Sequence, residues 1–507
     1  MTLGEHLHAT AERLPDKTAL ICGEISLTFR KFDEQTTRLA LGLQAKGIRK
    51  GDRVALHMNN TIELSLAYFA CFKAGAIAVP INSRLKTDEI EYFLQHSEAR
   101  MYIGEPTLYE LVEPVRDSCP HVGHFFVTSQ NEASDAAPCF SELLSGPANG
   151  SLPDLADSDE AVIIYSSGTT ARPKGVTHTH ASLRNCGRVT SQMGFREGDT
   201  FALFTPMTHV SGLGCVLIPG VLIGMTLALI PTFDPRAVLR VVERHQCTLI
   251  GGLPAALQIL VREQSSSTFD VESLRFCLGG GDSVAVSLQT EFQEAFGVPV
   301  QEAIGMTEAY MTCFNRSDRI KTGSVGQAAE GVDIRILDEQ GREAPAGEAG
   351  EMVIRHPGTA IGYWNDAEGT SAAIRDGWLF TGDLAFKDSD GFYWFAGRKK
   401  EIIIRGGSNI SPQEVEEVLL KHPAVFQAGV IGTADPTWGE SVVAFVCPND
   451  DASCSEQELI EFAKQHLADY KTPEQVHFID EMPLGLTGKV SRKTLKAMAG
   501  ERQATCV

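Results

Sequence analysis

The stretch with the most concentrated chemical potential is Tyr165-Ser166-Ser167-Gly168-Thr169-Thr170-Ala171-Arg172-Pro173-Lys174-Gly175-Val176, which follows the apolar run Ala161 to Ile164 directly. A strand running into small hydroxylated residues and a lysine has the parts of a phosphate-gripping loop. Glycine lets backbone N–H groups approach oxyanions, hydroxyls add hydrogen bonds, and the ammonium offsets charge. The pattern is not a Walker A loop, because no G-x-x-x-x-G-K-[ST] sequence occurs. A second candidate pair is His178 and His180, one residue apart. Their spacing suggests metal ligands, but neighbours in a polar turn read more simply as solvated side chains.

The surrounding periodicity supplies the elements that would hold such a loop. Phe32, Leu39 and Leu43 recur at helical spacing between Arg30 and Lys46, with Gly47 as a stop. Arg53 to Met58 then reads as a strand, Ile62 to Ala74 as an apolar helix, Ala76 to Ile81 as a strand, Thr87 to Ser97 as a capped helix and Met101 to Ile103 as a short strand. Strands that are apolar throughout and alternate with helices predict a parallel sheet covered on both faces. The rhythm resumes over Leu239 to Gly252 and Leu274 to Leu288, after a polar excursion from Thr128 to Asp159. From Gly323 to about Phe395 short β-like runs between Gly and Asp turns (Val332 to Leu337, Glu351 to Arg355, Phe392 to Ala396) predict a small β-rich subdomain. Beyond Lys400, Ser411-Pro412-Gln413-Glu414 reads as a capping box opening a helix to about Lys421, with a strand at Val442 to Val446 and a helix at Glu456 to His466. The expected fold class is α/β: a large N-terminal domain (1–399) of parallel αβ-layered subdomains with the β-rich subdomain, then a small mobile α+β domain (400–507).

Composition bounds the function. The chain has 507 residues, 44 Lys+Arg against 65 Asp+Glu for a formal charge of −21, and 43% hydrophobic residues, which excludes disorder and small disulfide scaffolds. That charge offers no general attraction to nucleic acid or an anionic membrane, so a phosphate-bearing ligand must be held by a few local cations. Twelve cysteines without a C-x-x-C pair predict reduced thiols in a cytoplasmic protein. The uncharged run Gly212 to Pro231 is interrupted by Pro219, Gly220 and Gly224, and reads as a buried helix followed by a buried strand rather than a membrane span. The N-terminus carries acids and no apolar signal core, and the C-terminus ends in neither a peroxisomal nor a prenylation signal.

The phosphate-loop segment resembles the signature of the adenylate-forming superfamily, which includes acyl-CoA and aryl-CoA synthetases, luciferases and peptide-synthetase adenylation domains. Five more segments match in the family's order: PMTHVSG (Pro206 to Gly212), IGMTE (Ile304 to Glu308), GWLFTGDL (Gly377 to Leu384), GRKKEIIIRGGSNISPQEVE (Gly397 to Glu416) and PLGLTGKVSRKTL (Pro483 to Leu495). The resemblance implies that Thr169, Thr170 and Lys174 hold the β- and γ-phosphates of ATP, with Ser166, Ser167 and Gly168 in the same nucleotide-binding loop. Glu308, with Thr170, would bind Mg²⁺, a hard cation suited to oxygen ligands. Thr307 would contact the α-phosphate, and Asp383 and Arg398 the ribose. Gly281, Asp282, Glu302, Ala303, Ile304, Gly305 and Met306 would line the nucleotide. Lys489 corresponds to the catalytic lysine of adenylation, Lys400 to the hinge, and Gly406 and Gly407 to the segment presented to coenzyme A after domain rotation. His209 would stand between the carboxylate pocket and the thiol tunnel.

Three departures and gaps shape the expectation. Ala171 replaces a usual glycine, and Ile304 stands where a tyrosine usually stacks on adenine, leaving less contact area and no π interaction. Gly305 occupies a position that acetate-specific relatives fill with an indole, which argues for a larger acid. Gly251, Gly252, Leu253, Ala255 and Ala256 add small apolar candidates for its lining. The implied activity is ATP-dependent activation of a medium- or long-chain fatty acid followed by thioester formation with CoA. An aryl or phenylpropenoic acid, or loading of a carrier protein, is the alternative, and a homodimer is possible by analogy.

Overall fold

The computed structural model describes residues 1–129, 137–145, 150–166, 172–406, 408–449, 454–485 and 489–505. Ser167, Gly168, Thr169, Thr170, Ala171 and Gly407 therefore lie outside the described residues. Two large sheets form the body, each with a parallel centre; the nine-stranded one is antiparallel at both edges and the seven-stranded one at a single edge. In the nine-stranded sheet, six central strands (Thr18–Cys22, Thr226–Leu229, Thr200–Leu203, Leu249–Gly252, Phe276–Gly280 and Val300–Met306) run parallel in that spatial order. In the seven-stranded sheet, Glu160–Ser166, Ile77–Pro80, Arg53–His57, Met101–Gly104 and His124–Val127 are parallel, while Lys174–Thr179 turns back antiparallel on Glu160–Ser166.

The helix Ile62–Ala74 explains how the two sheets share a core. Its sequence IELSLAYFACFKA is apolar on every face, the composition of a helix sheltered all round. It touches strands of both sheets. Thr61 caps it by accepting from the Leu64 amide, and Gly75 ends it in the left-handed region at φ 73°. Its one cation, Lys73, is buried but lies 2.6 Å from Asp33. The uncharged run after Gly212 folds as expected: a helical stretch, continued by helix Ile218–Ile223, then strand Thr226–Leu229, all inside the core. No helix among the described residues is long and apolar enough to cross a membrane.

The β-rich subdomain is a five-stranded antiparallel sheet in which Trp378–Lys387 pairs with Gly350–Arg355, Ile374–Arg375 and Tyr393–Arg398. A second five-stranded sheet (Ile403–Arg405, Ser408–Ile410, Val425–Asp435, Gly439–Pro448, Gln475–Phe478) closes the chain with helices Pro412–Leu419, Glu456–His466 and Arg492–Thr505. One local expectation fails here. Ser411 takes the N-cap position, but its side chain makes no capping hydrogen bond, and Glu414 reaches Lys471 at 2.6 Å instead of the cap amide. An available ammonium is a stronger partner for the carboxylate than a neutral N–H.

Candidate active site

The sheet edges and turns converge on one cleft between the body and the C-terminal unit. Strand Phe276–Gly280 ends in Gly281, whose φ of 86° and close approach to Leu253 (2.6 Å from an added Cβ) require glycine. The next residue, Asp282, is one of the charges acting on Lys489. Glu302 is not a wall of the cleft. It is buried, accepts from the Val284 amide at 3.1 Å and from Gln289 Nε2 at 2.9 Å, and so fastens the Gly281–Val284 turn from behind. Burial pushes its carboxyl up to about 8.

Asp383 and Arg398 are cross-strand partners in the antiparallel subdomain, with Arg398 Nε 3.1 Å from Asp383 Oδ1. Asp383 is 3% exposed, and its Oδ1 accepts no well-aligned hydrogen bond. A buried carboxylate oxygen left this way is suited to accept from a ligand hydroxyl. Burial raises the Asp383 carboxyl, and Arg398 and Lys489 oppose the rise.

Lys489 comes from the C-terminal unit, yet an added Cβ on Gly281 would lie 4.0 Å from its Cε. Burial lowers its ammonium from the usual lysine value; Asp282, Asp383 and Glu401 work against that, and Arg398 with it. Lys489 also acts on His209, whose imidazole is lowered to about 4, chiefly by burial. His209 Nδ1 accepts from the Ser211 amide at 3.3 Å, which leaves Nε2 as the protonated nitrogen of the neutral ring. Residues 209, 281–282, 383, 398 and 489 are thus one cluster.

The turn carrying Thr307 and Glu308 is held from three sides. His178 Nε2 donates to the Thr307 carbonyl at 2.8 Å, the Ala360 amide donates to the Glu308 carbonyl at 2.8 Å, and Tyr363 Oη donates to Glu308 Oε1 at 2.7 Å. His178 and His180 are both fully buried, which corrects the expectation of solvated side chains. Strand Lys174–Thr179 leads straight into helix His180–Ser191, so both rings are carried inward by packing rather than outward by a turn. Sequence reasoning missed the role of His178, and no spacing signal could have found it, because Thr307 lies 129 positions away. Tyr363 was missed for the same reason.

Other predicted residues fall as follows. Ser166 pairs across the hairpin with Lys174, whose Nζ lies 3.3 Å from Asp366 and 4.5 Å over the Tyr363 ring. Ala303 lies beside Gly280. Ile304 and Met306 pack onto the core of the antiparallel subdomain. Gly305 forms a bulge against the neighbouring strand, where an added Cβ would meet the Met311 amide nitrogen at 2.5 Å, so a backbone approach also requires glycine. Gly251 and Gly252 are packed rather than open: added Cβ atoms would meet Leu278 Cβ at 2.7 Å and the Phe204 ring at 2.8 Å. Lys400 is exposed in the connection between the units, and Gly406 (φ 55°) abuts exposed Trp438.

A buried carboxylate with an unsatisfied oxygen, an inserted ammonium and a clamped acidic turn beside a strand–lysine hairpin thus share one region. Residues 7–364 match the AMP-binding enzyme model and residues 414–489 the AMP-binding enzyme C-terminal domain. The chain is 34% identical over 498 residues to a feruloyl-CoA synthase of Amycolatopsis sp, covering 97% of both chains. It is 33% identical over 530 residues to a long-chain-fatty-acid–CoA ligase of Bacillus subtilis (strain 168), covering 97% of this chain and 94% of the relative. Among solved structures, an anthranilate CoA ligase in complex with anthranoyl-AMP superposes with a TM-score of 0.94 at 30% identity, covering 99% of this chain and 98% of that one. The chain belongs to the AMP-binding enzyme family, within the adenylate-forming superfamily of acyl- and aryl-CoA ligases.

Proposed function

We propose that this protein is an AMP-forming ligase that joins an aromatic or phenylpropenoic carboxylic acid to coenzyme A. The observation that carries the reading is the insertion of Lys489 between Gly281, Asp282, Asp383 and His209. An ammonium there neutralises both a substrate carboxylate and an α-phosphate, and stabilises the charge that builds up as they bond. A carboxylate oxygen attacks the α-phosphorus, and the bond to pyrophosphate breaks. The thiol sulfur of CoA then attacks the acyl carbon, its proton is lost, and the C–O bond to AMP breaks.

Asp383 accepts from the ribose hydroxyls and Arg398 bonds the same sugar or the phosphate, with Thr307 at the α-phosphate. Lys174, with the hydroxyls of 166–170, serves the outer phosphates. The oxygen donor set of Glu308 fits Mg²⁺, which would offset polyphosphate charge when bound, with Thr170 as the second proposed ligand. The Nε2–H of His209 is available to orient the acyl group. Lys400 is the proposed pivot and marks the proposed domain boundary, and turning about it would bring Gly406 and Gly407 to the thiol arm. The exposed rings of Trp438 and Tyr470 on that face support an acceptor with an aromatic base, while Arg405 is taken up by Glu474 and the Tyr470 carbonyl.

The anthranilate ligase's close superposition and the feruloyl relative support the aromatic acid. A fatty acid is the second reading, supported by the Bacillus relative. Mass spectrometry of the protein with ATP, Mg²⁺, CoA and a mixed panel of aryl, phenylpropenoic and fatty acids tests both. Aryl-CoA with AMP is expected. Fatty acyl-CoA alone overturns the aromatic reading, and acyl-AMP with untouched CoA moves the acceptor to a carrier protein.

A further inference from the structure

Lys489 reaches the cleft only because the C-terminal unit is docked on the body, so the contacts that dock it govern the site. The helix Pro254–Ser266 provides one such set. Its start abuts the cleft, since Leu253 lies against Gly281. One and two turns further on, Gln258 and Arg262 stand four residues apart on one face, pointing at the C-terminal unit. The Arg262 guanidinium stacks 3.3 Å over the Phe426 ring and donates to Asn449 Oδ1 at 2.6 Å, and Gln258 Nε2 donates to the Phe426 carbonyl at 2.9 Å. Asn449 is in turn tied to its own unit through the Pro423 carbonyl at 2.8 Å.

A cavity of about 200 Å³ runs between Arg262 and Lys489, bordered by Asp282, Glu416 and Glu417. Glu416 is balanced by Arg492 at 2.9 Å. A polar, cavity-bearing seam between two units joined by one chain connection favours relative motion unless a local contact resists it. Arg262, stacked on Phe426 and donating to Asn449, is such a contact, with Gln258 donating beside it.

We propose that Arg262, with Gln258, is a latch: a positioning residue that holds the C-terminal unit in the pose that inserts Lys489, and so supports acyl-AMP formation in particular. Releasing the latch lowers the population of the inserted pose without touching ATP, acid or CoA. The inference rests on the ligase reading for its activity test and on the structure alone for its conformational test.

Two measurements check it. In Arg262→Ala, acid-dependent ATP–pyrophosphate exchange is expected to fall about tenfold, while thioester formation from supplied acyl-AMP and CoA stays at the wild-type rate. Arg262→Lys is expected to recover only part of the exchange, because an ammonium lacks the planar stack. Equal loss in both half-reactions, or undiminished exchange, overturns the latch. Independently of any substrate, spin labels carried by keto-bearing noncanonical residues placed at Ser266 and Lys421, one on each unit and inert to the native thiols, are expected to give a single distance that broadens or splits when Arg262→Ala is added. An unchanged distance distribution also overturns it. If the wild-type chain exchanges pyrophosphate with no acid, the ligase reading fails while the distance measurement still decides the latch.

Discussion

At the residue scale, the site works by placing one charge where burial makes it costly. Lys489 is lowered by desolvation, yet three carboxylates keep the ammonium favourable. Only the protonated form can bridge two anions, so adenylation should fail as pH rises through this lowered value, at a pH below the usual 10.5. Lys489→Ala is expected to reduce pyrophosphate exchange by about 10²–10³ at neutral pH, the cost typical of removing a preorganised donor to a developing anion. Lys489→Arg keeps a charge that does not titrate, and should push the alkaline fall to higher pH at a reduced plateau. Exchange rates followed from neutral to alkaline pH check both outcomes. The bond from Ser211 to His209 belongs at this scale as well, because it fixes which nitrogen of the neighbouring ring can donate.

At the element scale, the site depends on close backbone packing between pieces distant in sequence. The helical segment around Leu213–Leu217 follows His209 and lies flat against Tyr310, with an added Cβ on Gly214 falling 1.9 Å from the ring. Tyr310 itself follows Glu308 by two positions and is buried. Gly214→Ala must therefore displace either the segment behind His209 or the strand behind Glu308. It is expected to cost about 1–3 kcal/mol of stability, read as a lowered melting temperature, and to raise KM for the acid more than KM for CoA. The Thr307–Glu308 turn is positioned in the same manner by His178 from strand Lys174–Thr179 and by the stretch leading from Ala360 to Tyr363. Binding both flanks of the turn to separate elements removes its freedom before any ligand arrives.

At the scale of the whole molecule, the buried titratable groups set a pH optimum for stability. His6, His178, His180, His209 and His356 are lowered to about 4 and His57 to about 3, all chiefly by burial. Between pH 6.5 and those values the unfolded chain binds protons that the native chain refuses, so stability is lost on acidification. Glu302, raised to about 8, and Glu416, raised to about 7, act oppositely. Their native forms retain protons that the unfolded chain releases above 4.5, so stability falls as pH rises toward 8. The melting temperature is expected to peak at about pH 7, where the two effects balance, and Glu302→Gln should flatten the alkaline decline by about 2–4 °C. Calorimetry from pH 5 to 8.5 reads this, and a monotonic rise across that range would contradict it. The excess of negative charge over the whole chain would leave polyphosphate to a few local cations, of which Lys174 is the proposed one.

Whatever adjacent residues encode is legible before any fold is known. Apolar periodicity placed the helix Ile62–Ala74 and the helix Glu456–His466 at their observed bounds, because burial of a contiguous face is written in adjacent side chains. Ordered motifs identified the adenylate-forming family and pointed to Asp383, Arg398 and Lys489. Tertiary structure alone decided which distant groups meet. His178 and Thr307, Glu302 and Val284, Asp282 and Lys489, and Arg262 and Phe426 become partners through the packing of sheets and units, which no spacing records. The capping box predicted at Ser411 failed because a lysine 57 residues away from Glu414 offered its carboxylate a better partner. In sequence, an arginine on a polar seam has the same signature as one in water, and only the surface that docks on it tells the two apart.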